Sequence, residues 1–293
     1  MKHKTKLSLG AAQFGLQYGI ANKGGKILLP DAIDIIKLAR KSGLSLIDTA
    51  MSYGDSETVL GKADISGFQI VTKIPSIKGL SGDINEHLEK LITRSLLRLN
   101  AQTLYGVLLH DASDLNDPRL PELFGALNSF KRAGKIKKIG ISVYSPCELD
   151  IVYDGLSVDI VQLPINLIDR RFELSGALNR LKKLGIEIHS RSAFLQGLLL
   201  LSHVDLPPKF RKWSVLWERF EQTLPELGET AVEACLRYPL SLTAVDRVIV
   251  GVDSAKHLRE ILRFKNSTSF DNSYSFLSSD EVALVNPSRW NDL

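Results

Sequence analysis

The chain has 293 residues, 44% of them hydrophobic and 24% charged, with a net charge of +4 and two cysteines. That composition is ordinary for a soluble globular protein, and the length suits one α/β barrel of roughly 250 residues. Cys147 and Cys235 lack CxxC spacing, which argues against a disulfide framework or a zinc site and fits a reducing, cytoplasmic setting. No apolar stretch approaches the ~18 residues that span a membrane. The opening MKHKTKLSLGAAQFG has too short an apolar part, broken at Gln13, for a signal peptide.

Short β-rich runs alternate with helical patterns almost from end to end. The first run, 7–12, is followed by DAIDIIKLARKSG, which starts after Pro30 and stops at Gly43. The second, 44–48, leads through a Tyr-Gly turn into SETVLG, with Ser56 as the expected N-cap. The third, 68–74, precedes Leu88, Leu91, Ile92, Leu96 and Leu99 at helical spacing, and the fourth, 104–110, precedes Leu120, Leu123, Phe124, Leu127 and Phe130. KRAGKIKK (131–138) then closes a helix at Gly134 and opens the fifth run, 136–143. Its cations complement a helix dipole, and no aromatic interleaving marks a nucleic-acid surface. The sixth run, 159–166, leads to Leu174, Ala177, Leu178, Leu181 and Leu184, read as one helix closed by Gly185. After the seventh, 186–193, residues 203–229 predict a functional loop with a helix inside it, followed by ETAVEACLRYPL. The eighth, 246–252, precedes SAKHLREILRF.

Eight apolar-centred strands, each followed by a helical segment with no break in composition, predict a (β/α)8 TIM barrel in a single domain over 1–293. An open doubly wound sheet usually carries a Gly-rich phosphate loop after its first strand, and GAAQFG is not GxGxxG. Barrel active sites gather at the C-terminal ends of the strands. Asp48, Lys73, His110, Ser142, Gln162 and Asn166 fall near such ends, with Tyr53 just past the second. A lysine in an apolar strand needs a partner, and Asp48 on the neighbouring strand supplies one. A phenol beside that ammonium is expected to have a lowered pKa and to donate a proton near neutral pH, while an imidazole hydrogen-bonds a carbonyl oxygen. This chemistry protonates an oxyanion as hydride arrives. No second histidine stands at metal-ligand spacing, and no GxSxG elbow is present.

These residues carry a family resemblance. DTAMSYGDSETVLG (48–61) matches the DTAxxYGxSExxLG segment of the aldo-keto reductase superfamily at each fixed position. TK (72–73), LLHD (108–111), GKIKKIGIS (134–142), VQLPINLIDR (161–170) and VIVGVDSAKHLRE (248–260) resemble its later motifs in order. The resemblance implies reversible hydride transfer between a nicotinamide cofactor and an aldehyde or ketone, without metal. It implies Tyr53 as general acid, Lys73 and Asp48 as the pair behind it, and His110 as the group that orients the carbonyl. Ser142 and Gln162 would hold the nicotinamide carboxamide. Arg191 stands where many members stack an aromatic ring on the nicotinamide, where a guanidinium plane can also stack or reach a phosphate, and the loop from Phe194 through Leu195 to Gly197 would lie along the pyrophosphate.

After the eighth strand the sequence departs from the pattern. The positions that hold the adenosine 2′-phosphate read Gly251, Val252, His257 and Glu260, with Ser254, Lys256 and Arg259 nearby. NADP(H) is the expectation from the family, with NAD(H) as the alternative. The opening LGAAQFGLQYGIANKGGK resembles a bacterial subgroup linked to sugar and surface-polysaccharide metabolism, which implies a small, sugar-like carbonyl substrate. Phe14, Tyr18, Trp213 and Trp217 are candidates for its pocket, though the two tryptophans, four apart, fit a packed helix stripe equally well. A sugar dehydratase or epimerase with bound cofactor, and a cofactor-binding regulatory subunit, are competing readings. No nucleic-acid or membrane partner is expected, and oligomeric state is not legible.

Overall fold

The computed structural model describes residues 5–292, apart from 268 and 271. Eight parallel strands close a barrel in sequence order. They are β1 (Leu7–Gly10), β2 (Leu46–Asp48), β3 (Gln69–Ile74), β4 (Leu104–Leu109), β5 (Ile136–Ser142), β6 (Ile160–Pro164), β7 (Glu187–Arg191) and β8 (Arg247–Gly251). Each lies within a run expected from sequence. β1 and β8 pair from Leu7↔Val248 to Gly10↔Gly251 and seal the cylinder.

Inside the barrel, Leu46, Val71, Leu108 and Ile160 form an apolar layer fully shielded from water. Each such side chain contributes about 1.5–3 kcal/mol on burial. The layer depends on Gly140: a Cβ there would lie 2.4 Å from Leu108 Cδ2 and 2.3 Å from the Ile160 carbonyl oxygen. A second, larger core fills the space between strands and helices, with Ile35, Leu88, Leu123, Leu181 and Leu258 among the helical residues that face it.

The helices follow the predicted stripes with three differences. The helix after β1 spans Leu29–Lys41, so Pro30 lies within its first turn, where a missing N–H costs nothing. The segment after β6 is two short helices, Arg171–Leu174 and Ala177–Lys183, because Gly176 adopts φ +74 between them. Leu174 and Leu184 are accordingly exposed and leave the expected stripe. Ser56 is the first residue of the Ser56–Lys62 helix, not its N-cap; Asp55 holds that position, and the Ser56 hydroxyl donates to the Ala11 carbonyl at 2.7 Å.

The basic cluster at 131–138 serves the fold. Lys131 pairs with Asp159 at 2.6 Å, and Lys138 turns into the lower barrel to pair with Glu187. Residues 203–229 contain the expected helix, Ser214–Leu227, behind short 3-10 turns. Among the described residues no helix is long and apolar enough to cross a membrane.

Candidate active site

β2 ends on Asp48, and the register Asp48↔Val71 sets Lys73 two residues beyond on the same inward face of β3. Lys73 Nζ donates to Asp48 Oδ2 at 2.6 Å and to the Thr49 carbonyl at 2.9 Å, and the lysine is only 1% exposed. From across the barrel, Gln162 Nε2 donates to Asp48 Oδ1 at 2.7 Å. Both carboxylate oxygens are therefore occupied by donors, as a buried anion requires.

The turn after β2 carries the phenol over this pair. Met51 N donates to the Lys73 carbonyl at 3.0 Å and Tyr53 N to the Ala50 carbonyl at 3.0 Å, which pins the turn to β3. Gly54 takes φ +55, and a Cβ there would lie 2.5 Å from the Gly15 carbonyl oxygen, so only glycine lets the chain fold back so closely. Lys73 Nζ lies 5.3 Å from the Tyr53 ring centroid. His110, just past β4, meets the Tyr53 ring edge-on at 5.5 Å, and its Nδ1 is 3.0 Å from Ser52 Oγ.

Burial governs the protonation states here. The Tyr53 phenol is pushed above its ordinary value by burial, with the Asp48 charge adding to the rise. The sequence-based expectation of a lowered phenol pKa is thus corrected: the Lys73 ammonium is engaged by Asp48 and Thr49, and loss of water around the phenol outweighs the opposing field of Arg191. Burial also pulls Lys73 below the usual lysine range, against the opposing attraction of Asp48. His110 is lowered to about 4, by burial first and by Lys73 second, so its imidazole is neutral at physiological pH.

These four residues form the floor of an open-mouthed pocket of about 220 Å³. Ser142, Gln162, Arg191, Phe194, Gly197, Gly251 and His257 also line it. Other residues singled out from sequence do not, Lys256 and Arg259 among them. Leu195 and Val252 are fully buried behind the wall, Glu260 is exposed on the Ala255–Leu262 helix, and the Ser254 hydroxyl caps that helix by accepting from His257 N at 3.1 Å. Asn166 is consumed structurally, donating to the Ser192 carbonyl and accepting from Ile168 N and Asp169 N.

Tyr18 lines the pocket, but Phe14 lies in the core. Trp213 and Trp217 pack as the helix stripe does, with indole N–H groups bound to Glu281 and to the Leu198 carbonyl. Residues that sequence reasoning passed over include Gln13, Tyr144 and Asp253, while Gln196 lies within the 194–197 loop expected along the cofactor. The strand-end rule reaches Tyr144 and Asp253, two residues past β5 and β8. Gln196 belongs to a strained run, with Ser192 at φ 63, Leu195 at φ 48 and Gln196 at φ 55, which sequence does not signal. Its carbonyl accepts from Ile20 N at 2.8 Å, tying the loop after β7 to the loop after β1.

The sequence model of the Aldo/keto reductase family matches residues 6–274. The chain belongs to the aldo/keto reductase family. It is similar to an uncharacterized oxidoreductase of Bacillus subtilis, YqkF, at 24% identity over 80% of this chain and 82% of that protein. It is also 24% identical to an NADH-specific methylglyoxal reductase of Escherichia coli, over 78% of this chain and 80% of the other. An aldo-keto reductase from Bacillus halodurans, solved in its holo form, shares the fold with a TM-score of 0.73 at 20% identity, covering 93% of this chain and 90% of that one. The chain is thus an NAD(P)H-dependent oxidoreductase of a family that acts on small carbonyl compounds, sugar-like ones among them.

Proposed function

We propose that the enzyme interconverts an aldehyde or ketone and its alcohol, with Tyr53 as the general acid toward the carbonyl oxygen. The convergence of Tyr53, Lys73, Asp48 and His110 on one pocket floor carries this reading. A bound nicotinamide dinucleotide supplies or takes the hydride. Several features of the pocket suit such a ligand. Gln162 Oε1 and Gln13 Oε1 are buried without partners, the first facing Ser142 across paired strands as an acceptor for an amide N–H. Gly251 lets the Gln13 amide pack against the strand end, since a Cβ there would lie 2.7 Å from Gln13 Nε2.

Tyr53 remains protonated through neutral pH because burial holds its proton. As negative charge develops on the carbonyl oxygen, the phenol donates, and Lys73 stabilises the phenolate left behind. Asp48 opposes the loss of charge that burial favours at this lysine. When the Ser52 hydroxyl donates to Nδ1, neutral His110 carries its proton on Nε2 and offers it to the same oxygen. Tyr53→Phe should keep cofactor affinity and lose reduction by about 100-fold or more, the scale of a general acid. Fluorescence titration with cofactor alongside steady-state turnover checks this, and near-normal turnover would overturn the assignment.

For the cofactor, family resemblance alone favours NADP(H), whereas the residues at the β8 end of the pocket favour NAD(H). Asp253 and His257 line that end, and among the described lining residues there it has no lysine or arginine. A carboxylate accepts hydrogen bonds from a ribose diol and repels a phosphate dianion. Tyr18, Asn22, Tyr144 and Gln196 line the pocket with hydroxyl and amide groups, which favours a hydroxylated carbonyl substrate.

A further inference from the structure

Behind the turn that carries Tyr53 lies a second cavity, of about 310 Å³, that shares no lining residue with the active-site pocket. One wall is the turn itself, at Ser52. The facing wall is the Ile84–Leu99 helix, where Arg94, Ser95 and Arg98 follow at the spacing of one helical face. Glu57, only 2% exposed, lies in the wall between them. Its Oε1 accepts from Thr72 Oγ1 at 2.9 Å and from Ser95 Oγ at 2.6 Å, and Arg98 Nη1 lies 3.7 Å from its Oε2. That carboxylate holds the Arg98 guanidinium without saturating its five N–H donors. Arg94, one turn earlier, is exposed, and its side chain has no hydrogen-bond or ion-pair partner among the described residues. Two guanidinium charges thus meet a single carboxylate around this cavity, and a positive charge is left over beside Ser52.

Ser52 joins this cavity to the reacting corner. Its Oγ lies 3.0 Å from His110 Nδ1, and His110 lines the active-site pocket. A serine hydroxyl has one proton to give. Given to Nδ1, it leaves the His110 proton on Nε2, free for the carbonyl oxygen. Given instead to an anion in the outer cavity, it obliges Nδ1 to supply the hydrogen of the His110–Ser52 bond. Nε2 is then bare, because the imidazole is neutral at physiological pH and has one proton for its two nitrogens.

We propose that the cavity between the Tyr53 turn and the Ile84–Leu99 helix is an inhibitory site for a small phosphate, free or as a monoester, held by Arg94, Arg98 and the Ser52 hydroxyl. Two planar guanidinium forks and a hydroxyl offer more donors and charge than a carboxylate can use, and they match the three oxygens of a phosphate. The effect on turnover rests on the reductase reading above, through the role of His110. The phosphate takes no part in hydride or proton transfer and changes only which nitrogen of His110 holds the proton.

The test titrates the enzyme with inorganic phosphate and with β-glycerophosphate, against sodium chloride at equal ionic strength. Saturating phosphate should lower kcat for carbonyl reduction by about tenfold or more, the scale of one lost donor to a developing oxyanion. KM and cofactor Kd should stay within about twofold, as for an interaction removed only from the transition state. Arg94→Gln should keep the basal kcat and lose the inhibition. Tighter inhibition by the ester assigns the cavity to phosphorylated metabolites, and the reverse order assigns it to free phosphate. Inhibition that competes with cofactor and survives Arg94→Gln would place the anion in the cofactor pocket and overturn the proposal. So would inhibition no greater than that of sodium chloride. Proton–nitrogen correlation spectra of His110 read the tautomer without any turnover. Phosphate should move the proton from Nε2 to Nδ1 in the unsubstituted enzyme and not in Arg94→Gln. An unmoved proton sinks the proposal and leaves the reductase reading standing. A moved proton in an enzyme that reduces no carbonyl keeps the phosphate site and sinks the reductase reading.

Discussion

The barrel interior holds a carboxylate–ammonium pair at each end, buried at the C-terminal end and half-buried at the N-terminal end, and the two are finished differently. At the N-terminal end, Glu187 pairs with Lys138, accepts from the Tyr105 hydroxyl at 2.7 Å, lies 2.9 Å from His189 Nε2, and has Arg247 Nε at 3.6 Å. At the C-terminal end, Asp48 has Lys73 at 2.6 Å and Gln162 at 2.7 Å. Around Glu187 the donors converge inward on the carboxylate. Around Asp48 the flanking groups face outward: the Tyr53 phenol, the His110 ring and the Arg191 fork all line the pocket. The same chemistry closes one end of the barrel and arms the other, which fits the rule that barrel bottoms serve stability and tops serve reaction.

Substitution at each end separates the two roles. Lys73→Met should lower kcat by about 10²–10⁴-fold, because the phenolate loses its cation. It should also destabilise by about 3 kcal/mol, since Asp48 is left buried with no cation beside it. Glu187→Gln should leave kcat within about threefold, and removing half of a pair at the barrel rim should cost about 1–2 kcal/mol in urea melts. A turnover loss in Glu187→Gln as large as in Lys73→Met would break the comparison.

The lower pair also sets an acid limit. Burial alone would raise the Glu187 pKa, but hydrogen bonds from His189, Lys138 and Tyr105 outweigh it and hold the carboxyl well below its ordinary 4.5. A depressed carboxyl stabilises the fold above its unfolded pKa and loses that contribution as pH falls through the folded value. Stability should therefore decline below about pH 4.5 in the unsubstituted enzyme, and this component should be missing from Glu187→Gln. Thermal melts from neutral to acid pH read it directly.

At the upper end the sign works through His110. Its folded pKa is lowered from 6.5 to about 4, so only the unfolded chain takes up this proton across that interval. Catalysis should show no break near 6.5. Because Tyr53 holds its proton beyond the ordinary tyrosine value, kcat/KM for reduction should be flat from about pH 5 to about pH 9. An inflection near 6.5 would mean that water reaches the imidazole and that the corner is less buried than the geometry gives.

The two ends were also unequally legible. All eight strands read as apolar runs, and the rule that polar residues at strand ends face the barrel mouth picks Asp48, Lys73, His110, Ser142 and Gln162, which line the pocket, and Asn166, which does not. That rule works because it follows from topology, not from packing. It fails where position depends on the chain's path beyond the strand. Leu195 sits between the lining residues Phe194 and Gln196 yet is buried in the core, in a loop where Ser192 and Leu195 adopt left-handed backbone that alternation does not anticipate, and Val252 is buried between the lining residues Gly251 and Asp253. The direction of the Tyr53 shift was equally hidden: proximity to Lys73 was readable, but the water excluded from around the phenol was not. At the lower end, the sequence groups Lys138 with cations that complement a helix dipole, although it is the partner of Glu187.

The smallest effect concerns the far end of the pocket, where sequence resemblance and geometry diverge. The Asp253 side chain is 48% exposed, and its Oδ1 lies 3.3 Å from His257 Nδ1 and 3.0 Å from Ser254 Oγ. This carboxylate is fixed by its own helix start and lies open to water, so its field is screened and its influence on a ligand is modest. Asp253→Asn should leave NADH affinity nearly unchanged and tighten NADPH about three- to tenfold, the range of a single exposed charge. The difference should shrink as salt rises, because the repulsion it removes is electrostatic. Titrating both cofactors at low and high ionic strength checks this. If the unsubstituted enzyme already binds NADPH more tightly than NADH, Asp253 is not the discriminating group. The phosphate would then have to be held by Lys256 or Arg259, cations that lie outside the pocket lining.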